Sequence, residues 1–171
     1  MLDRVFGGRR PSRPKVAQES ALKVIRRSEI EARNERAKFV EAEHLLLALA
    51  AHSESDAGRL LTACGLDHRR LSSALRDEHR RSLAFAGVNS PSDKQVEATE
   101  RRGSLALGTS AKAAIKRAMI VSRTDRPRRA SLVDTDLLVG ILQAELGTVP
   151  RALGIVGIDP AAVISRTTRS D

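Results

Sequence analysis

Apolar residues recur in helical register along most of the chain. From Val16 onward, small and apolar side chains fall three or four positions apart, at Ala17, Ala21, Val24, Ile25, Ser28 and Ala32. This spacing predicts an amphipathic first helix. The segment AEHLLLALA, residues 42–50, is apolar on every side. It predicts a second helix over about 41–52 that is buried in a core, because a helix without a polar face has no side to turn to water.

Turn and capping residues divide the sequence that follows. A third helix is predicted from Ser55 to Cys64, and it ends at Gly65, the residue type that most often follows a helix in the left-handed conformation. Asp67 is then placed to cap the start of a fourth helix. These signals predict four helices within the first half of the chain.

The second half repeats this order. SALKVIRRS at 20–28 resembles SAKAAIKRA at 110–118, with an offset of 90 residues. EHLLLALA at 43–50 resembles TDLLVGIL at 135–142, and RLLTACGLDHRRL at 59–71 resembles RALGIVGIDPAAV at 151–163, both with an offset of 92. Asp159-Pro160 predicts a helix start, with a cap followed by proline in the first turn. Three matches in the same order indicate a duplicated four-helix unit.

We therefore predict an all-α fold of about eight helices, arranged as a tandem pseudo-twofold repeat. The predicted boundaries are a flexible basic arm (1–15), copy one (16–81), a linker loop with a short helix near 93–101 (82–108), and copy two (109–168). Two copies packed face to face would bury both apolar helices, so we expect one domain.

Composition supports an aliphatic core and a basic surface. Hydrophobic residues make up 41% of the 171 positions, but aromatic residues only 2%. The formal charge of +9 permits an acidic partner. Three phenylalanines are the only aromatic side chains in the sequence, and they offer little surface for base stacking with nucleic acid. No signal-peptide core and no apolar run of about 20 residues occur, so we expect a cytoplasmic protein without a membrane partner.

The motifs of catalysis and metal binding are absent from the sequence. The single Cys64 excludes a cysteine-rich zinc site, and the four histidines form neither an i, i+4 pair nor HExxH. No G-x-x-x-x-G-K-[ST] segment is present to hold a nucleotide phosphate. We therefore expect no cofactor, no metal and no enzymatic activity.

AEHLLLALA followed by LLTACGLD resembles the N-terminal repeat domain of Clp/Hsp100 unfoldases, of the ClpC and ClpA types, over about residues 16–168. Without ATPase motifs, the chain is similar to a stand-alone N-domain protein. In that family the domain docks substrates and adaptors. The resemblance implies a non-catalytic protein that binds client proteins, adaptors or Clp chaperone and protease components, and so modulates ATP-dependent proteolysis.

Glu43 and His44 are the most specific site residues that the resemblance implies. In ClpC-type domains the motif glutamate contacts the guanidinium of phosphorylated arginine, which makes phosphoarginine-marked proteins a possible ligand. The alternative for Glu43 is structural, because an acid in the first helical turn interacts favourably with the helix dipole. For His44 we expect a hydrogen bond to the backbone at the helix start, and for Asp134, Thr135 and Asp136 a capping role.

The rest of the family's ligand set is divided between the two copies. Copy two keeps Thr109 but has Ala111 where the family has arginine, and Thr135 replaces the glutamate. Copy one has Gln18 and Ser20 at the positions of that threonine and arginine. The resemblance therefore implies Gln18, Thr109 and Thr135 as candidate contacts, with no complete set in either copy.

Two other surfaces are candidates. The basic stretch RTDRPRRAS, 123–131, with Arg128 and Arg129, is either a solvated loop or a docking patch. Together with the basic arm it supports the alternative function, a nucleic-acid-associated protein whose binding weakens steeply with salt. Leu107 stands near the groove between the copies, where ClpC-type domains present phenylalanine.

Overall fold

The computed structural model describes residues 13–87, 103–125 and 132–167, with side chains described for 21–87, 103–124 and 132–167. Within these ranges it contains eight helices: α1 (Arg13–Asn34), α2 (Ala42–Ala51), α3 (Asp56–Ala63), α4 (His68–Phe85), α5 (Thr109–Asp125), α6 (Asp134–Leu142), α7 (Thr148–Ile155) and α8 (Pro160–Thr167). The described residues form no strand, so the predicted all-α class is confirmed.

The repeat is visible in the positions at which the helices begin. α2, α3 and α4 start at residues 42, 56 and 68, and α6, α7 and α8 start at 134, 148 and 160, in each case 92 positions later. Gly65 and Gly157, with φ of 72° and 70°, occupy equivalent turns after α3 and α7. Both turns require a left-handed residue, which glycine adopts without steric cost.

Capping side chains set several of these starts. Ser55 accepts a hydrogen bond of 3.0 Å from the backbone of Gly58 in α3. Asp67 accepts one of 2.7 Å from the backbone of Arg70 in α4, and Asp159 accepts one of 3.0 Å from the backbone in the first turn of α8. Each cap satisfies an amide that has no partner inside its own helix. The caps predicted at Asp67 and Asp159 are therefore present.

Two helix ends differ from the predicted boundaries. α1 begins at Arg13, so three residues that we had placed in the basic arm are helical. α4 continues to Phe85, four residues into the range predicted as linker. The last turns of α4 give no buried apolar stripe to predict it from, because most of their residues are exposed, including Phe85. Residues 1–12 and the predicted short helix near 93–101 lie outside the described residues.

The two apolar helices α2 and α6 lie at the centre and contact each other. Their largest side chains are almost completely buried: Leu45, Leu46, Leu47, Leu49, Leu137, Leu138 and Ile141. Each contact between the copies occurs twice, once from each copy. α1 packs on α6 as α5 packs on α2, and α4 packs on α7 as α3 packs on α8. Such paired contacts are what a pseudo-twofold axis between the copies produces. The two copies share one aliphatic core.

Polar contacts also join the copies. Arg151 of α7 donates from Nε to Oε1 of Glu78 in α4 at 2.6 Å, and Glu78 is only 4% exposed. The carboxylate of Asp134, at the start of α6, accepts a hydrogen bond of 3.2 Å from the backbone N–H of Ala57 in α3. Copy two therefore caps a helix that belongs to copy one.

Among the described residues, no single helix has both the length and the apolar composition of a membrane span. α7 and α8 reach that composition only when taken together, and they are bent by 100° relative to each other.

Candidate functional site

The first turns of α2 and α5 are held side by side, although they belong to different copies. Val40 donates its backbone N–H to Ala106 O at 2.9 Å and accepts from the backbone N–H of Gly108 at 2.8 Å. This is an isolated parallel bridge between Val40 and Leu107. We call the region formed by residues 40–44 and 107–110 the α2–α5 junction. It brings two positive helix N-termini to one place.

Glu41 fills the space between the two helix starts. Its Oε2 accepts hydrogen bonds from the backbone N–H of Ser110 at 2.9 Å and from the Ser110 hydroxyl at 2.5 Å. The same hydroxyl oxygen accepts from the backbone N–H of Ala42 at 2.8 Å. The carboxylate lies directly over Gly108, where an added Cβ would be 1.8 Å from Glu41 Oε1. A side chain at position 108 would therefore displace this carboxylate from its present place at the start of α5.

His44 is buried beneath the junction and links it to the end of α1. Its Nδ1 accepts the backbone N–H of Glu41 at 2.8 Å, so the network assigns the ring proton to Nε2, which donates to Glu35 Oε2 at 3.2 Å. The predicted backbone hydrogen bond at the helix start is thus confirmed. In copy two, Asp136 Oδ2 accepts the backbone N–H of Val133 at 3.2 Å and makes the equivalent cap.

Glu43 is half-buried in the first turn of α2. Burial raises the pKa of its carboxyl above the usual value of 4.5, and the negative charges of Glu41 and Glu35 raise it further. A hydrogen bond from its own backbone N–H and the proximity of His44 act in the opposite direction but do not prevail. Burial is the largest of these causes, so the pKa of the Glu43 carboxyl is raised in the folded protein.

The structure brings together four of the residues singled out in the sequence. Glu43, His44, Leu107 and Thr109 all lie at the α2–α5 junction. Leu107 is half-buried and packs against the hydrophobic core, so it does not form a freely exposed groove wall.

Thr135 lies apart from these four, in the first turn of α6, where its backbone N–H donates to Asp134 Oδ1 at 3.0 Å. The predicted caps in this segment are only partly correct. Asp136 closes the helix start, whereas Asp134 also reaches across to α3. Gln18 lies in α1 at a position whose side chain is not described, and Arg128 and Arg129 lie outside the described residues.

Sequence reasoning missed Glu41, Ser110 and Glu35. Glu41 precedes the apolar helix directly, which is a recognisable capping position. Its partner Ser110 is 69 residues away, and no local pattern identifies such a pair. Within the described ranges, no group of three His, Cys, Asp or Glu side chains is arranged to hold a metal ion.

Comparisons with known proteins agree with this architecture. The fold is similar to the N-terminal domain of the caseinolytic protease associated chaperone ClpD from Arabidopsis thaliana, with a TM-score of 0.60 and 22% identity over 86% of this chain and 88% of that chain. A search of curated proteins finds no match. Residues 17–153 match the family described as the Clp repeat (R) N-terminal domain. This match covers most of the sequence, and the chain therefore belongs to the Clp N-terminal domain family.

Proposed function

We propose that the chain is a non-catalytic binding module of the Clp chaperone system, and that the α2–α5 junction holds a basic side chain of a client protein, an adaptor or a Clp component. Membership in the Clp N-terminal domain family supports an interaction role within that system. The observation that carries the finer proposal is the half-buried carboxylate of Glu43, whose pKa burial raises.

A cation at the junction would relieve an unfavourable arrangement of charge. Glu35 and Glu41 lie close enough to Glu43 to raise the pKa of its carboxyl further. A guanidinium or ammonium group placed beside Glu43 would offset this repulsion, and a guanidinium can pair with a carboxylate through two parallel hydrogen bonds. Perturbed carboxyl groups of this kind concentrate at functional sites, because binding supplies the compensation that the fold lacks.

Phosphoarginine, which the family resemblance raises as a ligand, fits this junction less well than unmodified arginine. Its phosphate would need donors at the start of α5, and Ser110 already gives both its N–H and its hydroxyl to Glu41. The Glu41 carboxylate would also repel a phosphate placed near it. We therefore propose a preference for unmodified basic side chains, with phosphoarginine binding dependent on displacement of Glu41.

Calorimetric titration with three matched peptides tests this site. The peptides differ at one position, which carries arginine, phosphoarginine or the uncharged isostere citrulline. We expect the arginine peptide to bind most tightly and Glu43→Gln to weaken its binding at least about tenfold, since one charge-assisted contact is worth about 1.5–3 kcal/mol. Thr135→Ala, at the equivalent position of copy two, is the control and should leave affinity unchanged. Equal binding of the citrulline peptide would refute the proposal.

A quantitative native pull-down tests the link to the Clp system. We expect Clp unfoldase, protease or adaptor components to co-purify with the wild-type chain and to be depleted with Glu43→Gln, but not with Thr135→Ala. Recovery of no Clp component at low salt with the wild-type chain would contradict the proposed role. In the calorimetric titration, Glu41→Gln is a further variant. It removes the charge that would repel a phosphate, so it should shift the preference toward the phosphoarginine peptide.

A further inference from the structure

Copy one contains a cavity of about 260 Å³ between α1 and α2, on a part of the surface separate from the α2–α5 junction. α1 contributes Lys23, Val24 and Arg27, and the end of α2 contributes Ala48, Ala51 and His52. The cavity therefore combines two cations, three small apolar side chains and one imidazole. It is large enough for a single side chain or the last residue of a peptide, but smaller than a typical site for a drug-sized ligand.

The two cations of the cavity have free donors. Lys23 forms no ion pair with any described side chain. Arg27 uses Nε to reach Glu31 Oε1 at 3.3 Å, and its side chain remains 52% exposed. Residues four positions apart lie next to each other on a helix surface. An ammonium and a guanidinium thus stand side by side at the mouth of the cavity.

His52 gives a second, independent indication of an unfilled site. Its backbone is fixed, because α3 approaches so closely that a Cβ on Gly58 would lie 2.1 Å from His52 O. Its Nδ1 is nevertheless buried without a hydrogen-bond partner among the described residues. Buried polar atoms are almost always paired, so a ring rotation that turns Nδ1 into the cavity, where a ligand can pair it, would remove this deficit.

Copy two lacks the same cavity chemistry. Equivalent positions carry Gly140 for Ala48, Gln143 for Ala51 and Ala144 for His52. Arg117, the counterpart of Arg27, donates from Nε to Gly140 O at 2.7 Å and is used within its own copy. Lys23 has Ala113 as its counterpart, so the pair of cations and the imidazole of copy one are not a requirement of the repeat fold.

From these observations we propose that the cavity of copy one binds a carboxylate on a short aliphatic group. Lys23 and Arg27 would hold the carboxylate, and the methyl groups of Val24, Ala48 and Ala51 would cover the aliphatic part. The chain terminus of a partner polypeptide and an internal glutamate both supply this chemistry. The site is independent of Glu43, which recognises the opposite charge.

Nuclear magnetic resonance titration with three probes tests the proposal. The probes are N-acetyl-trialanine with a free carboxylate, the same peptide as its amide, and N-acetyl-Ala-Glu-Ala amide. We expect the first probe to shift the ring nitrogens of His52 and the amides of residues 23–27 and 48–52 in a saturable manner, and its amide to leave them unchanged. A response to the glutamate probe alone would assign the site to internal acidic side chains. No saturable shift with either carboxylate probe would overturn the proposal.

Variants complete the test. Lys23→Met should weaken binding at least about fivefold, whereas Arg26→Met removes a charge from the same helix at a residue outside the cavity and should have no effect. Ala51→Gln introduces the copy-two residue and should block the cavity while the fold is kept. Glu43→Gln should bind the carboxylate probe normally, so a failure here and a failure at the α2–α5 junction are distinguishable. Equal affinity in Lys23→Met and wild type would refute the site.

Discussion

The two copies share their helix order but solve the packing of their first two helices differently. In copy two, Gly140 allows α6 to touch α5 so closely that an added Cβ would lie 2.4 Å from Ala114 O. In copy one, the equivalent position is Ala48, and a cavity with charged side chains remains between α1 and α2. Duplication therefore separates two demands, because one copy can supply tight packing while the other keeps polar and open surfaces.

The polar residues at the starts of α2 and α6 also differ, and copy one again carries more of them. Copy one gathers Glu35, Glu41, Glu43 and His44 around the start of α2. Copy two closes the start of α6 with Asp136, and Val133 stands at the position of Glu41. The comparison teaches that the fold requires only an acceptor at this capping position. The additional carboxylates of copy one are therefore not needed to cap this helix start.

Exchange of the capping residue should give the largest effect. His44→Asp places the copy-two acceptor in copy one, but it adds a buried carboxylate beside three others. We expect a loss of about 2–4 kcal/mol in the free energy of unfolding, because a buried charge lacks compensation there. His44→Asn keeps a neutral acceptor and should cost less than half as much. Denaturant titration followed by circular dichroism measures both, and equal losses would show that charge is unimportant.

The close contact in copy two gives the next effect. Gly140→Ala should destabilise the protein by about 1–3 kcal/mol through overpacking. It should do so although alanine favours helix by about 1 kcal/mol over glycine. Thermal and urea unfolding measure the change. A variant as stable as wild type, or more stable, would mean that α5 and α6 move apart at no cost in free energy. The packing of the first two helices would then not differ between the copies.

The ion pair between copies comes third. Among the described residues, Arg151→Met leaves the buried Glu78 carboxylate with only the Ser82 hydroxyl as partner. We expect a loss of about 1–2 kcal/mol, limited because Arg151 is 58% exposed and partly screened by solvent. Arg59 is the equivalent residue in copy one, and its partners within the described ranges, Glu54 and Asp56, are neighbours in sequence. Arg59→Met should therefore change stability by less than about 0.5 kcal/mol, and a larger loss there would argue against the comparison.

The pH dependence of Glu43 gives the smallest effect. Its pKa is raised in the folded protein, so the folded state holds the proton more tightly than the unfolded state. Its contribution to stability is complete below the unfolded value of 4.5 and is lost as pH rises through the folded pKa. Glu43→Gln should therefore be more stable than wild type at neutral pH, with the difference closing below about pH 4.5. Thr135→Val should show a difference from wild type that does not change with pH.

The architecture was predictable from sequence because it depends on local signals. The apolar segment 42–50, the glycine turns and the 92-residue offset together indicate the helices and their duplication. The candidate site was predictable only in part. Glu43 and His44 belong to a contiguous motif, but Ser110 meets Glu41 across 69 residues, and the pairing depends on how the copies dock. The cavity beside His52 likewise results from the separation of two helices, which periodicity does not encode.

The hydrogen bond from Ala57 to Asp134 makes each half of the chain dependent on the other. A helix start in one half is closed by a carboxylate from the other, and the central helices cover each other's apolar surface. A polypeptide with only one half would leave these groups exposed. An isolated half could therefore cover these groups only by pairing with another half, so neither four-helix unit is closed by itself.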